Sequence, residues 1–597
     1  MSLLVERASA VVPGFSVTEE NREAVAGLCQ RLDGIPLAIE LAAVRLRALS
    51  VHEVLDRLGE RYGLLQTASP AALPRQQTLR ALMDWSFDLL SKEEQVLWAR
   101  LSIFAGGFEL SAAEEVCSDS SLPRDSIATL LTDLVDKSIV IRYDSGPTVR
   151  HRLLETISQY GYDRLLEFGE VAELRRRHRE WFANLLDQAL RQMYGPRRAA
   201  WCDRFRAEQA NMRAVLQGCL DDPDLAGQGL SMTTDLEFFW LVHGTLREGR
   251  LWLQRFLTAD STPGLDRIRA LTMSAHVSVL QGRPDEARPV LAESRRLAER
   301  HGDAATLARI ALNEGMVEVG SGRLELGIEL TSQALVALRG TGDLLGAAAA
   351  LIQLAVVSIL HSDYSRADAY CREVLEVSEA HQEAWWAAFA LWVQGLAAWF
   401  QRDLRLAGEL ERQSIRLREP FKDTWGIVFS LEPLAWIAAA EGQYELSAQL
   451  LGALHTIWNS IGGSLAPPLG TQHDLCAAQV RQALGDKAFE IAHGEGERLP
   501  RHEVLRLALG EAHPDQAREQ QAAEPTPLTR RENEIAQLIS EGLSNKEIAA
   551  RLVIAQRTAE GHVEHILAKL GFTSRTQVAA WVTRHGPQGS LPTDSAQ

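Results

Sequence analysis

The chain has 597 residues, 46% of them hydrophobic and 24% charged, with a net charge of −17. That length exceeds what one core organises and suggests about four units at ~150 residues each. The acidic balance argues against a molecule that coats nucleic acid over its whole surface, and the lack of any run of about 18 apolar residues argues against a transmembrane helix.

Glu6 and Arg7 interrupt the apolar N-terminal stretch, which therefore reads poorly as a signal peptide. The six cysteines (Cys29, Cys117, Cys202, Cys219, Cys371, Cys476) lie far apart and include no CxxC pair. This pattern fits reduced thiols in a cytoplasmic protein better than a disulfide framework or a zinc site.

Helical periodicity runs almost without a break and strand signals are sparse, so the expected fold is mainly α. From Leu28 to Ala43 the chain reads LCQRLDGIPLAIELAA, with Pro36 just inside a helix start after a turn at Gly34. Two later stretches accompany it: PRQQTLRALMDWSFDLLSKEEQVLWARLSIFAGGFELSAAEEVC (Pro74 to Cys117) and VRHRLLETISQYGYDRL (Val149 to Leu165). Together they resemble the C-terminal half of the NB-ARC-type (STAND) nucleotide-binding module of large regulators. The resemblance implies a helical remnant over 1–70 and a winged-helix-like region over 71–170. It matches Gly34 and Pro36 to a motif that borders adenine, and His151 to a winged-helix histidine able to reach a β-phosphate. Arg152 stands where that family commonly has Asp. A phosphate-binding loop needs G-x-x-x-x-G-K-[ST], and no such string occurs here. Nor is there room before Leu28 for a P-loop strand, a Walker B strand and their helices. The expectation is a truncated relative without ATPase activity, ATP or other cofactor, in which Gly34, Pro36 and His151 are purely structural.

A tetratricopeptide-like array is expected over 171–510. Gly282-Arg-Pro-Asp-Glu-Ala287 recurs as Gly322 to Gly327, Ser362 to Ala367, Arg402 to Ala407 and Gly442 to Ser447. Small residues at 287, 327, 367, 407 and 447 are spaced by forty, and acidic residues at Asp303, Asp343, Glu383 and Asp423 open each new helical run. A turn followed by a small residue at the tightest helix crossing is what a solenoid of stacked hairpins requires; its period here is longer than the usual ~34. Trp385, Trp386, Trp392, Trp399, Trp425 and Trp436 cluster in this region. They read either as packing between repeats or as the lining of a ligand groove on the concave face.

Residues 511–527 are polar and proline-punctuated and read as a linker, and 587–597 as a disordered tail. Between them, 528–586 carries the chain's only plausible dock for phosphate. Thr526 to Gly586 holds eight Lys and Arg against six Glu, a net +2 that leaves −19 elsewhere. Thr529 with Glu532, and Ser544 with Glu547, form two capping boxes that start helices ending near Glu541 and Leu552. A third helix is expected from about Gln556 to Leu570, and a fourth, capped by Ser574 and Gln577, to about Arg584. Four short helices with a tight turn between the second and third describe a helix-turn-helix domain.

The string Leu528-Thr529, Arg531-Glu532, Gly542-Leu543-Ser544-Asn545-Lys546-Glu547-Ile548-Ala549 resembles the LuxR-type DNA-binding domain. So do Thr558, Glu560, His562-Val563, Ile566, Lys569-Leu570 and Ser574-Arg575. Ala555 stands where Ser is usual, which removes a capping hydroxyl worth about 1 kcal/mol, and Ala559 replaces Val.

On the third helix, Ala559, Val563, Ile566 and Leu570 share the face that packs inward. The opposite face presents Arg557, Glu560, Gly561 and Glu564 to the major groove, where Arg forks onto guanine and Glu accepts from cytosine N4. The two glutamates read equally as a solvated face, with Glu560 orienting Arg557. Lys546, Thr558, Lys569 and Arg575 are placed for phosphate. His562 and His565 lack the partners of a metal set, and Arg501-His502-Glu503 lacks the second His of H-E-x-x-H, so neither a metal nor a catalytic residue is expected.

The expected function is sequence-specific transcription control by a homodimer on double-stranded DNA. A small molecule or protein acts on the repeat array, and no membrane is involved. The alternatives are an ATP-driven switch and a repeat scaffold with a vestigial DNA domain.

Overall fold

The computed structural model describes residues 1–32, 35–57, 74–146, 148–193, 195–463, 465, 467–511, 528–570, 572 and 574–585. Gly34, nearly all of the expected linker and the expected tail lie outside the described residues. The chain divides into two compact units, Met1–Leu499 and Pro500–Gln597. The fold is mainly α, as the periodicity predicts, with one two-stranded sheet among the described residues.

The first unit opens with α1 (Ser2–Val11), α2 (Arg22–Arg31), α3 (Pro36–Arg45) and α4 (51–57). They bury Leu4, Val25, Leu28, Leu41 and Val54 in a core that Leu82 and Trp85 of α5 (Pro74–Asp88) complete. Then α6 (Lys92–Leu101), α7 (Leu110–Cys117) and α8 (Arg124–Asp136) precede an antiparallel hairpin, β1 (Val140–Ser145) and β2 (Thr148–Leu153). In its register Val140 faces Leu153 and Arg142 faces His151, and Phe108 adds an isolated bridge to His151. Next, α9 (Glu155–Phe168) packs on α6, where the buried Trp98 indole donates to the Ile157 carbonyl at 3.1 Å.

Helices α10 (Val171–Arg191), α11 (Arg198–Ala207), α12 (Gln209–Asp221), α13 (Ala226–Asp235), α14 (Glu237–Val242) and α15 (Leu246–Ala259) lead into the repeats. Each repeat is a helical hairpin: α16 (Leu265–Leu280) with α17 (Pro284–His301), then α18 (Ala304–Gly320) with α19 (Leu324–Thr341). The series continues with α20 (Leu344–Leu360) and α21 (Tyr364–His381), α22 (Ala384–Phe400) and α23 (Leu404–Arg418), and α24 (Thr424–Ala440) and α25 (Tyr444–Ile461). The unit closes with α26 (Pro467–Leu484) and α27 (Asp486–Arg498).

Two local devices fix this periodicity. Asp303, Asp343, Glu383 and Asp423 are N-caps whose carboxylates accept from backbone N–H groups one helical turn on, satisfying donors that a helix start leaves open. The chain also takes a left-handed residue every twenty positions, at 282, 302, 322, 342, 362, 382, 402, 422, 442 and 462. Six of these are glycines, but Ser362, Gln382, Arg402 and Lys422 hold φ between 49° and 67° without that freedom. The small residues at 287, 327, 367, 407 and 447 are all buried, and Ser447 donates across its hairpin to the Ala435 carbonyl at 2.8 Å. At Gly327 an added Cβ would sit 2.6 Å from Val319 Cγ2, so nothing larger fits without displacing α18.

Gly322 (φ +78°) has no atom within 4 Å of an added Cβ, so a substitution there tests backbone strain alone. Gly322→Val is expected to cost about 1–2 kcal/mol and Arg402→Gly to recover part of a similar strain. Thermal unfolding of the full chain checks both: the first variant lowers the midpoint and the second raises it.

The second unit opens with α28 (Arg501–Leu509). Its C-terminal helices are α29 (Arg530–Ser540), α30 (Asn545–Leu552), α31 (Gln556–Leu570) and α32 (Arg575–His585).

Candidate nucleic-acid interface

The C-terminal helices begin where their capping residues dictate. Thr529 accepts from the Glu532 N–H while Glu532 accepts from the Thr529 N–H, and Ser544 and Glu547 repeat the exchange at the start of α30. The turn from α30 into α31 is closed by Val553, which adopts φ +53° and is 91% exposed. A β-branched residue in that conformation is a local strain that the sequence reading did not anticipate. The core beneath consists of Leu528, Ile535, Ile539, Ile548, Ala559, Val563, Ile566 and Val578. Ala559, Val563 and Ile566 therefore face inward, as the helical period requires, and Leu570 is partly buried beside them.

The other side of α31 is open. Arg557, Thr558 and Glu564 are exposed and Glu560 and Gly561 half-buried, which brings the four residues expected to face bases onto one accessible strip. Glu560 accepts a hydrogen bond from Gln556 at 3.0 Å. A Cβ added to Gly561 would meet nothing within 4 Å. A mid-helix glycine costs roughly 0.5–1 kcal/mol against alanine, and the domain's own packing does not require one here.

The residues expected at phosphate have different surroundings. Lys546 is exposed at the start of α30. Arg575 is exposed and donates through Nη2 to the Leu543 carbonyl, bracing α32 against the turn before α30. Lys569 donates to Glu532 Oε2 at 2.6 Å, tying the end of α31 to the start of α29. Burial would raise the Glu532 carboxyl, but Lys569 and the Thr529 hydrogen bonds overcome it and hold the group down at about 2. Sequence spacing carries no sign of a contact between residues 37 positions apart.

His151, the candidate histidine of the first unit, lies on β2 with its ring stacked 5.9 Å from Phe108. Its Nδ1 is buried without a hydrogen-bond partner, and burial, with Arg142 nearby, pushes its pKa down, favouring the neutral ring. Pro36 occupies the first turn of α3. Among the described residues no group of three or more His, Cys, Asp or Glu is placed to hold a metal, and no helix is long and apolar enough to cross a membrane.

Comparison with known proteins agrees with this geometry. Residues 526–582 match the family described as bacterial regulatory proteins, luxR family. Over 98% of its length the chain is 26% identical to a protein named as an HTH-type transcriptional regulator in Mycobacterium bovis, covering 84% of that protein. Over 68 residues, 11% of this chain and 31% of the other, it is 44% identical to the DNA-binding transcriptional activator DevR/DosR of Mycobacterium tuberculosis. A solved STAND protein with a tetratricopeptide repeat sensor from Pyrococcus horikoshii overlaps 76% of this chain and 74% of its own. That overlap has 13% identity and a TM-score of 0.35, too loose to establish a shared fold.

Two outcomes test the C-terminal domain as a separate fragment of residues 520–590. Gly561→Ala is expected to stabilise it by about 0.5–1 kcal/mol in urea while weakening its binding to DNA. Because the Glu532 carboxyl titrates lower in the folded state than the ~4.3 of an unfolded chain, its contribution is complete above about pH 5 and is lost as pH falls toward 2. Glu532→Gln is expected to remove about 1–3 kcal/mol at neutral pH and to flatten that acid limb, measured by urea unfolding across pH.

The C-terminal domain of this chain is thus a helix-turn-helix DNA-binding domain of the luxR family of bacterial regulatory proteins.

Proposed function

We propose that the chain is a transcription regulator that binds a roughly palindromic site on double-stranded DNA as a homodimer, with α31 in the major groove and the repeat array as its sensor. The observation that carries this reading is the strip Arg557, Glu560, Gly561 and Glu564, exposed at its two ends and half-buried between, backed by an inward face that is used by the domain's own core. In this reading Arg557 and Glu564 read bases, Gly561 allows close approach, and Lys546, Thr558 and Arg575 hold the backbone. Lys569 keeps its place near phosphate but acts first on Glu532, so its charge is partly spent inside the domain.

The remaining assignments belong to the same proposal. Residues 1–70 serve as a helical remnant and 71–170 as a winged-helix-like support, the latter favoured by helices followed by a hairpin. Residues 171–510 form the sensor and 511–527 the linker. The protein works as a binder of DNA in the cytoplasm rather than as an enzyme; the support is the regulator names of its relatives.

Titration of the full chain with DNA selected from a random pool tests this at several salt concentrations. Lys546→Ala is expected to weaken binding to all sequences alike and to reduce the slope of log K against log salt by about 0.9. Arg557→Ala is expected to cost about 1–3 kcal/mol at one base position and to relax preference there. Affinity that is insensitive to salt and to both substitutions would contradict the proposal.

A further inference from the structure

The first helices of the hairpins, α16, α18, α20, α22 and α24, lie along one wall of the array, and the forty-residue period places equivalent positions side by side. Position 269 is Arg, and it continues as Arg309, Ala349, Phe389 and Phe429. The wall thus changes from charged at its N-terminal end to aromatic at its C-terminal end. With Leu190, Met193 and Phe238 it lines a half-open cavity of about 920 Å³. That volume lies within the range of small-molecule sites, as does the make-up of the lining, mostly apolar and aromatic with a few polar groups. Trp385, Trp386, Trp392 and Trp425 line it.

The charged side chains on this wall already have partners. Arg198 pairs with Glu383, Arg269 with Asp235 at 2.6 Å and Arg309 with Asp343 at 2.6 Å, and Glu237 Oε1 lies 2.8 Å from the His276 ring nitrogen Nδ1. An anionic ligand would have to break the buried Arg198–Glu383 pair or displace a carboxylate already held by Arg269 or Arg309, and it would meet the Glu237 carboxylate in the same lining.

We infer that this cavity binds a neutral, planar aromatic small molecule, whose flat body lies against Trp385, Trp392 and Phe429. The regulatory consequence rests on the sensor reading above, whereas binding does not.

The test titrates the full chain with N-phenyl-1-naphthylamine and with its sulfonate, 1-anilinonaphthalene-8-sulfonate, reading energy transfer from tryptophan to the dye. The neutral probe is expected to bind saturably at one site per chain, at least about tenfold more tightly than the sulfonate. Ala349→Phe and Met316→Trp, which fill the cavity from two different helices, are each expected to weaken it by about tenfold with helix content unchanged. Equal or tighter binding of the sulfonate, no saturable binding of the neutral probe, or indifference to whichever filling variant folds would overturn the inference. DNA binding measured on the same samples separates the two readings. DNA binding without dye binding overturns the cavity alone, and dye binding without DNA binding upholds the cavity and overturns the regulator.

Discussion

The first unit is governed by a reversal of the chain every twenty residues through a left-handed residue. That spacing leaves room for one helix of about four or five turns on each leg, so successive hairpins have equal length and stack in register. Equal length is what lines up residues forty apart into columns, and the columns make the wall of the cavity. Where glycine supplies the reversal the strain is absent. Through the middle of the array Ser362, Gln382, Arg402 and Lys422 carry it in exposed turns, each closed by backbone hydrogen bonds such as Asp363 N–H to the Ser358 carbonyl and Asp403 N–H to the Ala398 carbonyl. That same middle contains an ion pair wholly removed from solvent. Asp423 caps α24, pairs with Arg418 at 2.8 Å and accepts from the Trp385 indole at 2.9 Å, with Arg418 and Asp423 wholly buried. One carboxylate there joins three helices.

In the C-terminal domain a different carboxylate has the corresponding role. Glu532 belongs to the capping box of α29 and also receives Lys569 from the end of α31, so the start of one helix fixes the end of the helix proposed to enter the groove. The inner face of α31 is then held by Ala559, Val563 and Ile566, and its outer strip is left to solvent. Rigid support behind an open polar face is the arrangement that reading a groove requires.

Much of this was legible in the sequence because it is local. The caps at Asp303, Asp343, Glu383 and Asp423, the small residues of the hairpins, both capping boxes and the four C-terminal helices each follow from residues within a few positions of one another. Trp399 and Trp436 sit 5.9 Å apart as packing, while Trp385, Trp386, Trp392 and Trp425 line the cavity. What the sequence hid is contact at long range. Lys569 looks like a phosphate ligand until Glu532 is seen beside it, and Arg198 gives no hint of Glu383, 185 residues away. The cavity itself depends on how helices from Val171 onward close over the repeats, which no periodicity encodes.

The measurement that bears most directly on the DNA-reading helix is protection of guanine N7 from dimethyl sulfate, on a site to which the full chain binds. With α31 in the major groove, guanines in both half-sites are shielded by the intact protein, and Arg557→Ala restores methylation at specific ones while the rest stay protected. Methylation that is unaffected by bound protein, or a pattern that Arg557→Ala leaves unchanged, would mean that some other surface holds the DNA.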